Sequence, residues 1–138
     1  MTEPGIVLTP GGQSGARALI AVVDDDASVR KAVARLLGSS GFVVETFASA
    51  TEFLERPHVR ALCLVAEIHL HGMSGLDLKQ RLASSERDLP VIFVTALDDP
   101  QIRARAAALG AAGYLEKPFD GEALLEVIIG LVGIDLDG

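Results

Sequence analysis

From Ala18 onward the chain alternates short apolar or β-branched runs of strand length, LIAVV, FVVET, ALCLVA, PVIFVT and GYLE, with longer segments whose apolar residues recur at helical spacing. Five strand-helix units result. Runs that are apolar on both faces belong to strands buried on both sides, and strands alternating with helices imply parallel pairing through right-handed crossovers. The pattern therefore predicts a doubly wound α/β domain, a parallel sheet between two helical layers. Such sheets bind ligands beyond the carboxyl ends of their strands, so the residues that follow each strand are the ones to inspect.

The helical segments carry their own boundary signals. The first starts after Asp24-Asp25-Asp26, with Asp26 as N-cap, presents Val29, Val33, Leu36 and Leu37 on one face, and is closed by Gly38 and Gly41. The second is short, entering through Ser49 or Thr51 and stopping before Pro57, and the third runs from about Ser74 to Ser85 with Leu76, Leu78 and Leu82 as its apolar members. Asp98-Asp99-Pro100 opens the fourth and Gly110 ends it, while the fifth follows Pro118 and is apolar around most of its circumference. Residues 1–16, rich in Gly, Pro, Ser and Thr without periodicity, are expected as a flexible arm, leaving a domain over 17–133 and a tail over 134–138.

At 138 residues one domain is of ordinary size, needing neither metal nor disulfide as a staple. Cys63, the only cysteine, lies among apolar neighbours and reads as a buried, reduced thiol. No charged segment followed by an apolar stretch opens the chain, and no run approaches the roughly 18 apolar residues of a membrane span, so a soluble, cytoplasmic protein is expected. A net charge of −7 with only 12 scattered Lys and Arg argues against nucleic-acid binding by this chain.

The strand ends are polar in a particular way. Strand one ends in Asp24-Asp25-Asp26, strand three in Glu67, strand four in Thr95-Ala96 and strand five in Glu116-Lys117-Pro118. On one edge of a sheet these make an acid cluster facing a hydroxyl and an ammonium. Carboxylates within about 4 Å of one another repel by roughly 4 kcal/mol per pair at an effective dielectric near 20, so they call for a divalent cation, a lysine or a shared proton. Mg²⁺ suits such donors, Lys117 can neutralise part of the charge, and Thr95 can donate to a bound oxyanion.

VVDDDASVR, LVAEIHLHGMSG, VTA and EKPF, in that order and spacing, resemble the receiver domain of two-component response regulators over residues 18 to 132. The texture is nearest to receivers that precede helix-turn-helix output domains. The resemblance implies a flavodoxin-like (βα)5 three-layer sandwich with sheet order 2-1-3-4-5 and phosphoryl transfer from a histidine kinase to an aspartate after strand three. It also implies Asp25 as a direct Mg²⁺ ligand, Asp24 as a ligand through water, the residue at position 67 and the main-chain carbonyl of His69 as further ligands, Thr95 and Lys117 as holders of the phosphoryl oxygens, and Tyr114 as the switch aromatic. The histidine kinase or output partner is expected on the face of helix four, strand five and helix five, with Leu125, Ile129 and Val132 at the surface. A homodimer through that face is the alternative.

Two positions depart from the family pattern. Glu67 stands where the family has the phosphorylatable aspartate, and His71 where it usually has proline. The extra methylene carries the carboxylate about 1.5 Å further from the strand, and displacements of about 1 Å at a reacting centre cost on the order of a hundredfold in rate. Three readings follow: a static binding module, a receiver held in a phospho-mimicking state by Glu67 reaching Lys117 and Thr95, or a working phosphoacceptor with transfer to Glu67 or a neighbouring aspartate. Glu67, His69 and His71, spaced by two, would share a face of an extended segment and so permit a transition-metal site.

Overall fold

The computed structural model describes residues 18–57 and 59–132. The expected arm, residues 1–16, the expected tail, residues 134–138, and the domain limits at 17 and 133 lie outside the described residues. Ten elements follow in strict alternation: β1 Leu19–Val23, α1 Ala27–Ser39, β2 Val43–Phe47, α2 Ala50–Leu54, β3 Cys63–Glu67, α3 Gly75–Ala83, β4 Val91–Thr95, α4 Pro100–Ala108, β5 Gly113–Glu116 and α5 Gly121–Val132. All strand pairs are parallel, in the order β2-β1-β3-β4-β5. The doubly wound α/β architecture and the sheet order are as expected, with β1 and β3 at the centre.

Side chains alternate between two apolar layers because successive strand residues point to opposite faces. Ala21 and Val23 of β1, Leu64 and Ala66 of β3, and Val91 and Phe93 of β4 pack with Phe53 of α2, Leu78 and Leu82 of α3, and Ala106 of α4. Ile20, Val22, Cys63, Val65, Ile92 and Val94 face the other way, onto Val33 and Leu37 of α1 and Leu124 and Ile128 of α5. Strands β1, β3 and β4 are buried almost throughout, whereas the edge strand β2 exposes Val43 and Thr46. Cys63 is free and fully buried, and burial pushes its thiol up to about 12.

The helix starts follow the capping chemistry of the sequence. Asp26, Ser49, Ser74 and Asp99 each accept backbone N–H groups of the first turn of α1, α2, α3 and α4, with Pro100 inside the first turn of α4. One expectation is corrected at the end of α1: Gly38 lies inside the helix, which runs on to Ser39. The chain turns instead at Gly41, in the left-handed region at φ 99°, while the Phe42 N–H returns to the Leu37 carbonyl. Strand β2 consequently begins one residue later than FVVET suggests and includes Phe47, because its register on β1 pairs Leu19 with Val43 and Val23 with Phe47. Helix α3 is shorter than Ser74–Ser85, with Ser74 and Ser84 as its caps.

Candidate functional site

The carboxyl ends of β1, β3 and β5 bring Asp24, Glu67 and Lys117 together, with Thr95 at the end of the adjoining strand β4. Asp24 and Glu67 are buried, at 2% and 5% relative exposure, and Thr95 is fully buried. The Lys117 ammonium reaches across the strand ends and donates to Asp24 Oδ2 at 2.8 Å and to Glu67 Oε1 at 2.7 Å. A single cation thus serves two buried anions. The remaining oxygens are taken by the backbone: Asp24 Oδ1 accepts the Asp26 N–H at 2.9 Å, and Glu67 Oε2 accepts the His69 N–H at 2.8 Å. Burial of Lys117 opposes its charge, but the hydrogen bonds to Asp24 and Glu67 and their Coulombic attraction outweigh it, so its pKa is held above the ordinary lysine value.

Asp25 does not join the pair. Its Oδ2 accepts both the His71 backbone N–H, at 3.3 Å, and a hydrogen bond from the same residue's ring Nδ1, at 2.7 Å, the ring carrying its proton on that nitrogen. The expectation of carboxylates crowded around one point is therefore corrected. Among the described residues no three His, Cys, Asp or Glu side chains gather as metal ligands. Of the six carboxylate oxygens of Asp24, Asp25 and Glu67, only Asp25 Oδ1 lacks a hydrogen bond among the described residues. The donor set as arranged does not fit Mg²⁺, which needs oxygens converging in octahedral geometry. The transition-metal grouping of Glu67, His69 and His71 fails for a related reason: the chain bends after β3, where the Leu70 N–H returns to the Ile68 carbonyl, so Glu67 is buried while both histidines are exposed.

Thr95 and Tyr114 face a second group of residues. The Thr95 hydroxyl accepts the Leu97 N–H at 3.1 Å and donates to the Leu97 carbonyl at 3.3 Å, while the Thr95 carbonyl accepts the Lys117 N–H at 2.8 Å. Glu67 thus meets Lys117, but the Thr95 hydroxyl is turned into the β4–α4 loop. Tyr114 donates to Asp98 Oδ1 at 3.0 Å, Arg103 pairs with Asp98 Oδ2 at 3.1 Å, and the Arg103 guanidinium lies 4.3 Å from the Tyr114 ring centroid. Arg103 and then Tyr114 hold the Asp98 carboxyl below its usual value, while burial and then the bond to Asp98 push the Tyr114 phenol up to about 12.

Sequence reasoning missed two contributors. Arg30, one turn into α1, donates to the Asp24 carbonyl at 2.7 Å; its place in that first turn was the available signal. Gly75, the first residue of α3, packs so closely under the strand end that a Cβ there would collide with the Glu67 carbonyl and the Ile68 Cα. On the other side of the sheet, Leu125 and Ile129 of α5 are half-buried against the layer formed with α1, and the side chain of Val132 lies outside the described residues.

A parallel sheet in the order 2-1-3-4-5, with acids ending β1 and β3, a threonine ending β4 and a lysine after β5, is the arrangement of a phosphorelay receiver. Residues 20–129 match the response regulator receiver domain family, and the chain belongs to it. It is 37% identical over 119 residues to nodulation protein W of Bradyrhizobium diazoefficiens, covering 85% of this chain and 52% of the relative. It is 39% identical over 114 residues to the transcriptional regulatory protein FixJ of Azorhizobium caulinodans, covering 81% and 54%. A response regulator receiver protein from Burkholderia phymatum superposes with a TM-score of 0.77 at 38% identity, over 87% of this chain and 98% of that one. The chain spans about half the length of the curated relatives it matches. Receivers are signalling modules of two-component systems that work with histidine kinases and output domains, and they typically bind Mg²⁺ at the phosphorylation site. Among the described residues no helix is long and apolar enough to cross a membrane.

Proposed function

We propose that this receiver signals by protein contact without being phosphorylated, its acceptor position locked by Glu67. The observation that carries the reading is that both oxygens of the acceptor carboxylate are engaged, Oε1 by Lys117 at 2.7 Å and Oε2 by the His69 N–H at 2.8 Å. A nucleophilic oxygen must present a lone pair in line with the phosphoryl donor, and a charge-assisted bond to an ammonium draws electron density away from it. The longer glutamate arm adds a displacement of about 1.5 Å from the aspartate position. Glu67 meets Lys117 but leaves the Thr95 hydroxyl on Leu97, which favours a fixed resting arrangement over a phospho-mimicking one. The partner, a kinase or an output protein, is assigned to the face of α4, β5 and α5, where Tyr114 and Arg103 stand at the surface of the switch elements. Its chemistry is that of a protein surface.

The test is incubation with Mg²⁺ and a small acyl phosphate, followed by intact-mass measurement. The wild-type chain is expected to show no adduct, and Glu67→Asp a measurable one. A stoichiometric adduct on the wild type would establish a working phosphoacceptor instead.

A further inference from the structure

We infer that His71 is a built-in competitor for the cation position: it takes by hydrogen bonds the Asp25 carboxylate that a receiver otherwise offers to Mg²⁺, while Lys117 bridges the other two acids. The inference deepens the reading of a locked, unphosphorylated site and rests on it only for its consequence, since the metal question is measured separately.

Two bonds converge on one oxygen. Asp25 Oδ2 accepts the His71 ring Nδ1 at 2.7 Å and the His71 backbone N–H at 3.3 Å. A proline at this position, lacking both a ring donor and an N–H, would supply neither, so the substitution that departs from the family pattern is the same one that ties Asp25 down. The tie spans 46 residues of sequence and joins the β3–α3 loop to the end of β1. Beside it, Lys117 Nζ lies within 2.8 Å of one oxygen each from Asp24 and Glu67, and backbone N–H groups hold their other oxygens. An incoming Mg²⁺ would find one carboxylate oxygen without a hydrogen bond among the described residues, Asp25 Oδ1; Asp25 Oδ2 already accepts two bonds from His71, and at Asp24 and Glu67 the cation would meet the repulsion of the Lys117 ammonium. Because the His71 side chain is 96% exposed, water competes with its ring bond. The barrier to the cation is therefore modest and reversible, not a steric block.

The experiment is isothermal titration of Mg²⁺ into the full chain, comparing wild type with His71→Pro and His71→Ala, each first shown by thermal melting to fold. The wild type is expected to give no saturable binding below millimolar concentration. His71→Pro, which removes both bonds, should bind about tenfold more tightly or better, the order expected for freeing a charged acceptor from exposed hydrogen bonds, and His71→Ala, which keeps the backbone bond, should fall between. Submillimolar binding by the wild type overturns the inference, and so does equal binding by all three chains. Failure here is distinguishable from failure of the locked-acceptor reading, because that reading is decided by the phosphoryl adduct on the wild type and this one by Mg²⁺ heat in the absence of any phosphoryl donor.

Discussion

Lys117 stands between two carboxylates that are themselves shut away from water, and its protonation is therefore tied to the folded state. Burial pulls its pKa down, the bonds to Asp24 and Glu67 push it up, and the second effect wins. A lysine whose folded pKa exceeds its unfolded one contributes its full stabilisation below the unfolded value and loses it as pH rises through the folded one. From neutral pH to the ordinary lysine value of 10.5 the contribution should be constant; above it the unfolded chain releases its proton first and stability falls. Urea midpoints measured from neutral to strongly alkaline pH should show this loss, and Glu67→Gln, with one anionic partner gone, should show a shallower one. Parallel curves for the two chains would mean that Glu67 does not hold the lysine. The anchors of this site were legible because they sit at strand ends, where a buried acid demands a partner. The tie between His71 and Asp25 was not, because it depends on how the loop after β3 bends, and neither residue's spacing reveals that.

At the scale of elements, β3 and α3 are joined by a close approach that only glycine allows. Gly75 opens α3, its N–H donates to the Ile68 carbonyl at 2.9 Å, and a Cβ would drive into backbone atoms of Glu67 and Ile68. Backbone cannot yield as the end of a long side chain can. Gly75→Ala should cost about 1–3 kcal/mol, as overpacking usually does, and should shift the Glu67 carboxylate off Lys117. Chemical denaturation measures the first effect, and the lysine-linked pH dependence measures the second; an unchanged alkaline profile would mean that the strand end does not move. Element identity was readable where a local signal and the packing agree, as in GYLE, which is β5 from Gly113 to Glu116, and in the Asp99-Pro100 start of α4. Boundaries slipped where tertiary contacts override a local signal. Gly38 reads as a helix stop, yet open space surrounds its missing side chain and the helix runs past it. Residue Phe42 reads as strand, yet its N–H closes α1.

Across the whole molecule, the two apolar layers meet only through the sheet, and Cys63 lies in its central strand with no surface exposed to water. A reagent reaches that thiol only if β3 parts from its neighbours and from α1 and α5, which amounts to unfolding the domain. Burial also holds the thiol protonated, with a pKa of about 12, whereas an unfolded cysteine ionises near about 8.5. Native labelling should therefore be slow and should scale with the population of unfolded chain. Phe53 provides the calibrating perturbation: it lies in the opposite layer, fully buried, with its ring 5.2 Å from that of Phe47 in an edge-to-face arrangement. Phe53→Ala should destabilise by about 3–5 kcal/mol. If the layers unfold together, Cys63 should then react about two to three and a half orders of magnitude faster, at one order per about 1.4 kcal/mol. Urea should accelerate labelling of both chains in step with their unfolding curves. A labelling rate indifferent to Phe53→Ala would show that the layer of α1 and α5 opens by itself, and that the five strand-helix units do not behave as one cooperative domain.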